Sequence, residues 1–176
     1  MIRMTTVLAT LALFAAPALA AGDNNSGSGA AEKPVVKTCK HGEVWSKKQK
    51  KCVAVQSEVI PDGELYEQGR ELATTGDYEG AIALLTLVTN QTDPNVLNYL
   101  GYSHRKSGKV DEGIVFYKKA LEIDPNFVLA REYLGEGYVV QKKFDLAKVE
   151  LAEIEKRCGK DCEEYKDLAE AIDKAN

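Results

Sequence analysis

Self-similarity with a period near 34 residues constrains this chain more than any other feature it carries. Gly101 stands in the phrase NYLGYSHRKSGKVDEGIVFYKKALEIDPN; 34 residues on, Gly135 stands in REYLGEGYVVQKKFDLAKVELAEIE, and 32 residues back, Gly69 stands in LYEQGRELATTGDYEGAIALLTLV. From about Asp62 apolar residues recur at three- and four-residue spacing, and no alternating run is long enough to make a strand. Each unit therefore reads as helix, turn, helix, with a glycine at the close-packed centre of the first helix. Gly76 and Gly108 occupy the turns, as helix-ending glycines do, and Lys142 takes that place in the third unit. Small residues recur early in the second helices (Ala81, Gly113, Ala147), where two helices must approach closely. A lone helical pair cannot bury both of its faces. Stacked neighbours can, and they leave one concave surface.

These residues resemble the tetratricopeptide repeat family, the second unit nearly throughout. Leu100, Gly101, Gly108, Tyr117, Ala120 and Pro125 sit at the family's signature positions in that unit. Leu134, Gly135, Tyr138 and Ala147 do so in the third, and Gly69, Gly76, Ala81 and Leu85 in the first. Departures are also present. Gln68 replaces the usual Leu, Gly113 replaces an Ala, the third unit lacks the closing Pro, and the first is about two residues short. The resemblance implies an all-α solenoid of helical hairpins, with repeats over 62–93, 94–127 and 128–157 and a capping helix over 158–176. In that cap Tyr165, Leu168, Ala169 and Ile172 form one apolar stripe, and acids fill the first turn, where the helix dipole favours them.

The N-terminus carries a different signal. Arg3, the apolar run Val7 to Ala16 and the small-x-small triplet Ala18-Leu19-Ala20 read as a secretory signal peptide over 1–20. Pro17 interrupts the run, which falls short of the roughly 20 apolar residues a membrane anchor needs. Export, to the periplasm of a Gram-negative cell, favours disulfides for the four cysteines. Of the three possible pairings, spacing favours Cys39–Cys52 and Cys158–Cys162, the second clipping the cap to the last repeat. Residues 21–34 (AGDNNSGSGAAEKP) form a flexible linker with nothing to bury. Residues 35–55 then read as a small disulfide-stapled basic β-hairpin, Val44 and Trp45 facing Val53 and Val55 across the turn.

Charge divides the chain. Lys33 to Lys51 holds seven Lys and one Glu, a local balance of +6, whereas Val53 onward has 15 basic and 24 acidic residues, or −9. The overall −4 excludes nucleic acid as the main partner, because phosphate binding needs a cationic surface. Once the leader is removed, no stretch can span a membrane. Lys47, Lys48, Lys50 and Lys51 cluster at the hairpin turn, where an anionic envelope polymer or glycan could bind, the tip could serve solubility, or the hairpin could dock on the acidic solenoid.

Chemistry is sparse. No Ser or Cys has an evident basic partner among the two histidines, His41 and His104, and no glycine-rich phosphate loop follows a strand. Cys39, His41 and Cys52 match no standard zinc spacing, and Cys158-x-x-x-Cys162 lacks the spacing of a thioredoxin-like pair. A non-enzymatic protein without cofactor or metal follows. Members of the resembled family bind peptide segments of other proteins in the groove lined by the first helices. The resemblance places Tyr66, Arg70, Asn98, Tyr102, Arg105, Glu132 and Glu136 there. Chaperone-binding members hold a C-terminal carboxylate with Lys, Arg and Asn; Glu132 and Glu136 oppose that ligand and favour a peptide of basic character near the third unit. The reading is an exported adaptor that binds a partner protein. Its alternatives are an envelope glycan-binding protein using the hairpin, and a thiol-redox or metal-handling accessory.

Overall fold

The computed structural model describes residues 39–40, 42–55 and 59–175. The signal-peptide segment 1–20, the linker 21–34, residues 35–38 of the hairpin segment and His41 lie outside them.

Among the described residues, two short strands precede seven helices: β1 (Glu43–Ser46), β2 (Lys51–Ala54), α1 (Asp62–Thr75), α2 (Tyr78–Leu85), α3 (Pro94–Lys106), α4 (Val110–Ile123), α5 (Val128–Val140), α6 (Phe144–Cys158) and α7 (Glu163–Ala175). Two of the helices, α2 and α3, begin at side-chain caps. The Asp77 carboxylate accepts the Gly80 N–H at 2.9 Å, and Asp93 accepts the Asn95 N–H at 2.8 Å with Pro94 in the first turn. The first helix of each pair, α1, α3 and α5, ends in a left-handed turn: φ is +95° at Gly76, +93° at Gly108 and +58° at Lys142. The third turn keeps the geometry of the other two although a lysine must adopt it. The cap differs slightly from its expected span, because Cys158 is still the last residue of α6 and α7 begins at Glu163.

The helices stack in two layers. α1 pairs with α2, α3 with α4 and α5 with α6, while α1, α3, α5 and α7 follow one another along the inner layer. Glycines set the spacing. A Cβ on Gly69 would lie 2.7 Å from Leu85 Cγ, and one on Gly101 2.6 Å from Tyr117 Cε1. At Gly135 the atoms nearest an added Cβ belong to Leu168 of α7. The capping helix therefore packs into the slot that the second helix of the pair fills in the earlier repeats. Leu168 and Ile172 join the core of Ile114, Tyr117, Leu134, Tyr138 and Ile154, and the Cys158–Cys162 disulfide bridges the turn from α6 to α7.

The hairpin is built as expected and docked on the solenoid. Its strands pair antiparallel with Val44 opposite Val53 and Trp45 opposite Cys52, and Cys52 is bonded to Cys39 across a Cα separation of 5.7 Å. Val44 and Val53 are buried in the same cluster as Ile60, Leu65 and Ala73, so the hairpin closes the exposed end of the first repeat. Gln68, the residue that departs from the repeat pattern, explains the contact. Its carboxamide oxygen accepts the Trp45 N–H at 2.7 Å, and its nitrogen donates to the Trp45 carbonyl at 2.9 Å. One glutamine thus satisfies both backbone groups on the outer edge of β1, which a leucine would leave unpaired. The described parts of hairpin and solenoid form one compact unit. Of the three roles open to the hairpin's lysines, docking is the one in view, and for Lys47 alone. Lys47 Nζ sits 2.7 Å from Glu67 and its backbone N–H donates to Glu64, while Lys48, Lys50 and Lys51 are exposed.

Candidate functional site

The inner layer presents a run of tyrosines. Tyr66 of α1 meets Tyr99 of α3 edge-on at 6.1 Å between ring centroids, and Tyr99 meets Tyr102 one turn later at 6.4 Å. Tyr102 continues to Tyr78 of α2 at 6.3 Å and to Tyr133 of α5 at 5.1 Å, and Tyr133 reaches Tyr117 of α4 at 6.1 Å. Three consecutive repeats are joined by rings with few rotatable bonds, and each ring carries a polar tip. The half-buried Tyr66, Tyr78, Tyr102 and Tyr133 can give contact area to a ligand at little entropic cost, and the buried Tyr99 and Tyr117 back them. Burial raises the tyrosine hydroxyls above their ordinary range at Tyr66, Tyr102, Tyr117 and Tyr133, so these phenols stay neutral donors and acceptors at physiological pH.

Arg105 sits within this run. Its guanidinium lies over the rings of Tyr102 and Tyr133 at 5.6 and 5.5 Å, its Nε donates to the Tyr117 hydroxyl at 3.1 Å, and its Nη2 meets Glu136 at 2.5 Å. Only 8% of the residue is exposed. A buried arginine stacked on aromatic rings and paired with one carboxylate is a fixed part of the wall. Glu132, one turn before Glu136, is 5% exposed. Burial pushes its carboxyl up to about 8, with Glu136, Asp167 and Glu164 pushing the same way and Arg105 acting weakly against them. Asp167 and Glu164 belong to α7, so the cap contributes charge to the groove as well as closing the core.

Asn98 is the most demanding residue of the wall. It is 0% exposed, and neither its carboxamide oxygen nor its nitrogen has a hydrogen-bond partner. It lies one and two turns before Tyr102 and Arg105 on the same face of α3.

Six of the seven residues assigned by resemblance, all but Arg105, occupy equivalent places. Tyr66, Asn98 and Glu132 follow one another at spacings of 32 and 34, as do Arg70, Tyr102 and Glu136. Arg105 touches both Tyr102 and Glu136; Asn98 and Glu132 are buried on the same layer; Tyr66 joins through Tyr99. Arg70 is exposed and acts on Tyr66 only through its charge. Sequence reasoning missed Tyr99, Tyr133, Glu164 and Asp167. The first two were within reach, because they stand 34 residues apart at one repeat position. His104 stacks on Phe116 at 5.2 Å, and desolvation lowers its pKa. Cys158, Cys162 and Glu164 bring three potential metal-ligand atoms together, but the two sulfurs are bonded to each other. Among the described residues no helix is long and apolar enough to cross a membrane.

Comparison with known proteins agrees with this geometry. The family described as tetratricopeptide repeat is matched over residues 94–127. A curated relative, the tetratricopeptide repeat domain-containing protein PYG7, chloroplastic, of Arabidopsis thaliana, is 30% identical over 90 residues, 48% of this chain. The chain spans only 30% of that relative's length. Among solved structures, MamA AMB-1 is 28% identical with a TM-score of 0.53, covering 64% of this chain and 63% of that one. The TPR2B domain of yeast Sti1, solved as a pHsp70 complex, is 21% identical with a TM-score of 0.59 over 65% of this chain and 94% of that one. The first TPR of Spaghetti (RPAP3), solved with the HSP90 peptide SRMEEVD, is 15% identical with a TM-score of 0.58 over 69% and 97%. The last two share the fold. With its repeat grammar, its glycine-spaced helical pairs and the matched second unit, the chain has the helical-hairpin solenoid fold of tetratricopeptide repeat proteins.

Proposed function

We propose that this chain is an exported, non-enzymatic scaffold that binds an extended segment of a partner protein along the inner layer of α1, α3 and α5. The observation that carries the reading is Asn98. A wholly buried carboxamide with neither atom paired costs about 1–3 kcal/mol in the free protein. An extended peptide backbone, which offers one N–H and one C=O side by side, is the complement of that group. The tyrosine run supplies the contact area beside it. Two of the structural neighbours were solved with peptide or chaperone partners, which supports the mode of action without identifying the ligand.

Export, and with it a periplasmic location, is supported by Arg3, the apolar run Val7 to Ala16 and the Ala18-Leu19-Ala20 triplet, together with cysteines that pair throughout the described residues. Two measurements test the proposal. The mass of the protein recovered from the cell envelope fraction is expected to begin at Ala21. Crosslinking in intact cells, run beside Asn98→Ala and the double variant Tyr102→Ala/Arg70→Glu, is expected to recover a partner that both variants lose while keeping their helical signal. Equal capture by the folded variants would remove the groove from the function.

A further inference from the structure

The wall of the groove is unbalanced at one end. Where α5 faces α7, four carboxylates gather: Glu132 and Glu136 on α5, Glu164 and Asp167 on α7. The cation acting on them is Arg105, and it is already engaged by Glu136 at 2.5 Å and by the Tyr117 hydroxyl at 3.1 Å. From the other helices packed on α5, Glu150 of α6 is held by Arg131 at 3.0 Å, and Tyr117 of α4 faces Arg105. No ion pair or hydrogen bond to Glu132 is found among the described residues, although the residue is 95% buried by its 5% exposure.

We propose that this end of the groove receives a cationic side chain, lysine or arginine, of the bound segment, with Glu132 as its acceptor and the Tyr133 ring beside it. The inference deepens the peptide-groove reading and rests on it. Three independent observations converge. Asn98, the residue of the second repeat equivalent to Glu132, has both polar atoms buried and unpartnered, so the same face that would hold a peptide backbone continues into the acidic end. The faces of Tyr102 and Tyr133 already accept a guanidinium from Arg105 at 5.6 and 5.5 Å, which shows that these rings suit a cation. Finally, Glu132 itself is desolvated, where an opposite charge counts for more than it does in water, while Glu136 and Glu164 are half-buried and Asp167 is exposed at the rim. The capping helix is thereby a wall of the binding site, which no other repeat in the chain supplies.

The buried carboxyl gives the proposal a proton signature. Glu132 is held up to about 8 by burial and by its three acidic neighbours, so in the free protein near neutrality it is mostly protonated. A cation at contact distance favours the ionised form, and binding below pH 8 then releases a proton. Affinity for a cationic segment rises as pH rises toward about 8, by up to roughly tenfold per pH unit.

The test uses the full mature chain and four bead-bound sublibraries of acetylated, amidated heptapeptides that differ only in a fixed central Arg, Lys, Gln or Glu. We expect the Arg and Lys sublibraries to be retained about tenfold above Gln at pH 8.5 and to lose most of that preference at pH 6.5. Glu132→Gln should bring Arg and Lys down to the Gln level, whereas Glu122→Gln, which removes the same charge from an exposed site on α4, should leave the preference intact. Asn98→Ala should weaken all four sublibraries alike. Equal retention of the four, retention led by Glu, or an unchanged preference in Glu132→Gln would overturn the cation site while the Asn98 result still decides the groove. Preference that survives Asn98→Ala but vanishes with Glu132→Gln would keep the cation site and remove Asn98 from backbone recognition. No retention of any sublibrary would overturn both.

Discussion

Asn98 and Lys142 each hold a residue type in a place that elementary chemistry disfavours, and they differ in what they return for it. At Lys142 the turn demands a positive φ of 58°, the conformation that Gly76 and Gly108 adopt without a Cβ penalty in the equivalent turns. Nothing in the structure ties the Lys142 side chain to the groove. Lys142→Gly is therefore expected to stabilise the chain by about 1 kcal/mol and raise the melting temperature by about 3 °C, with peptide capture unchanged. At Asn98 the cost is the desolvated carboxamide. Asn98→Leu, similar in volume and free of polar atoms, should raise the melting temperature by an amount equivalent to about 1–2 kcal/mol while abolishing capture. Calorimetry of the two variants separates the cases. A melting temperature lowered by Asn98→Leu would mean that the carboxamide is satisfied within the folded chain, and the main support for the groove would be gone.

The hairpin shows how one element acquires a role through a single departure from a pattern. Two strands of four residues are marginal alone; here a disulfide closes them, two valines bury against α1, and Gln68 occupies the outer edge of β1. Replacing Cys39 and Cys52 by Ala should cost about 3 kcal/mol if the bridge acts mainly by restricting the unfolded chain. Gln68→Leu restores the family residue yet removes both hydrogen bonds to Trp45, and it should destabilise by about 1–2 kcal/mol. Hydrogen exchange at the Trp45 amide, accelerated in Gln68→Leu and unchanged at the α5 amides, would locate the loss in this contact. The same element marks the boundary of what sequence could reveal. Repeats, turns and strand pairing were legible because each is encoded over a few residues or at a fixed period. The docking was not, because it joins a side chain to backbone 23 positions away and declares itself only as a substitution at Gln68. Equivalent positions such as Asn98 and Glu132 could be placed by their 34-residue spacing. The acids of α7 could not, since the cap stands outside the repeat and its stripe of apolar residues says only which face is buried.

Across the whole molecule the acidic balance becomes a dependence of stability on pH, and Glu132 fixes its sign. A carboxyl whose pKa rises from the ordinary 4.5 to about 8 on folding binds its proton more tightly in the native state than in the unfolded one. Its stabilising contribution is complete below the unfolded value, declines as pH climbs through the interval, and is gone above about 8. Glu153 runs the other way. It is half-buried and held down to about 2 by hydrogen bonds from Lys156 and Arg157, so its contribution is present above the unfolded value and disappears only in acid. The two effects occupy different windows: of the pair, Glu132 is the one that acts between pH 5 and 8.5, and the lowered His104, common to parent and variant, cancels from their difference. Glu132→Gln should therefore match the parent near pH 5 and exceed it increasingly toward pH 8.5, by several degrees in melting temperature. Scanning calorimetry of both proteins at five pH values measures that difference directly. A constant offset would mean that Glu132 ionises in the native state as it does in the unfolded chain, with some cation of the molecule already beside it. A cationic ligand should reverse the trend in the parent alone, adding most stability where Glu132 is most willing to ionise. That coupling ties the stability of the free solenoid to the chemistry of whatever segment occupies it.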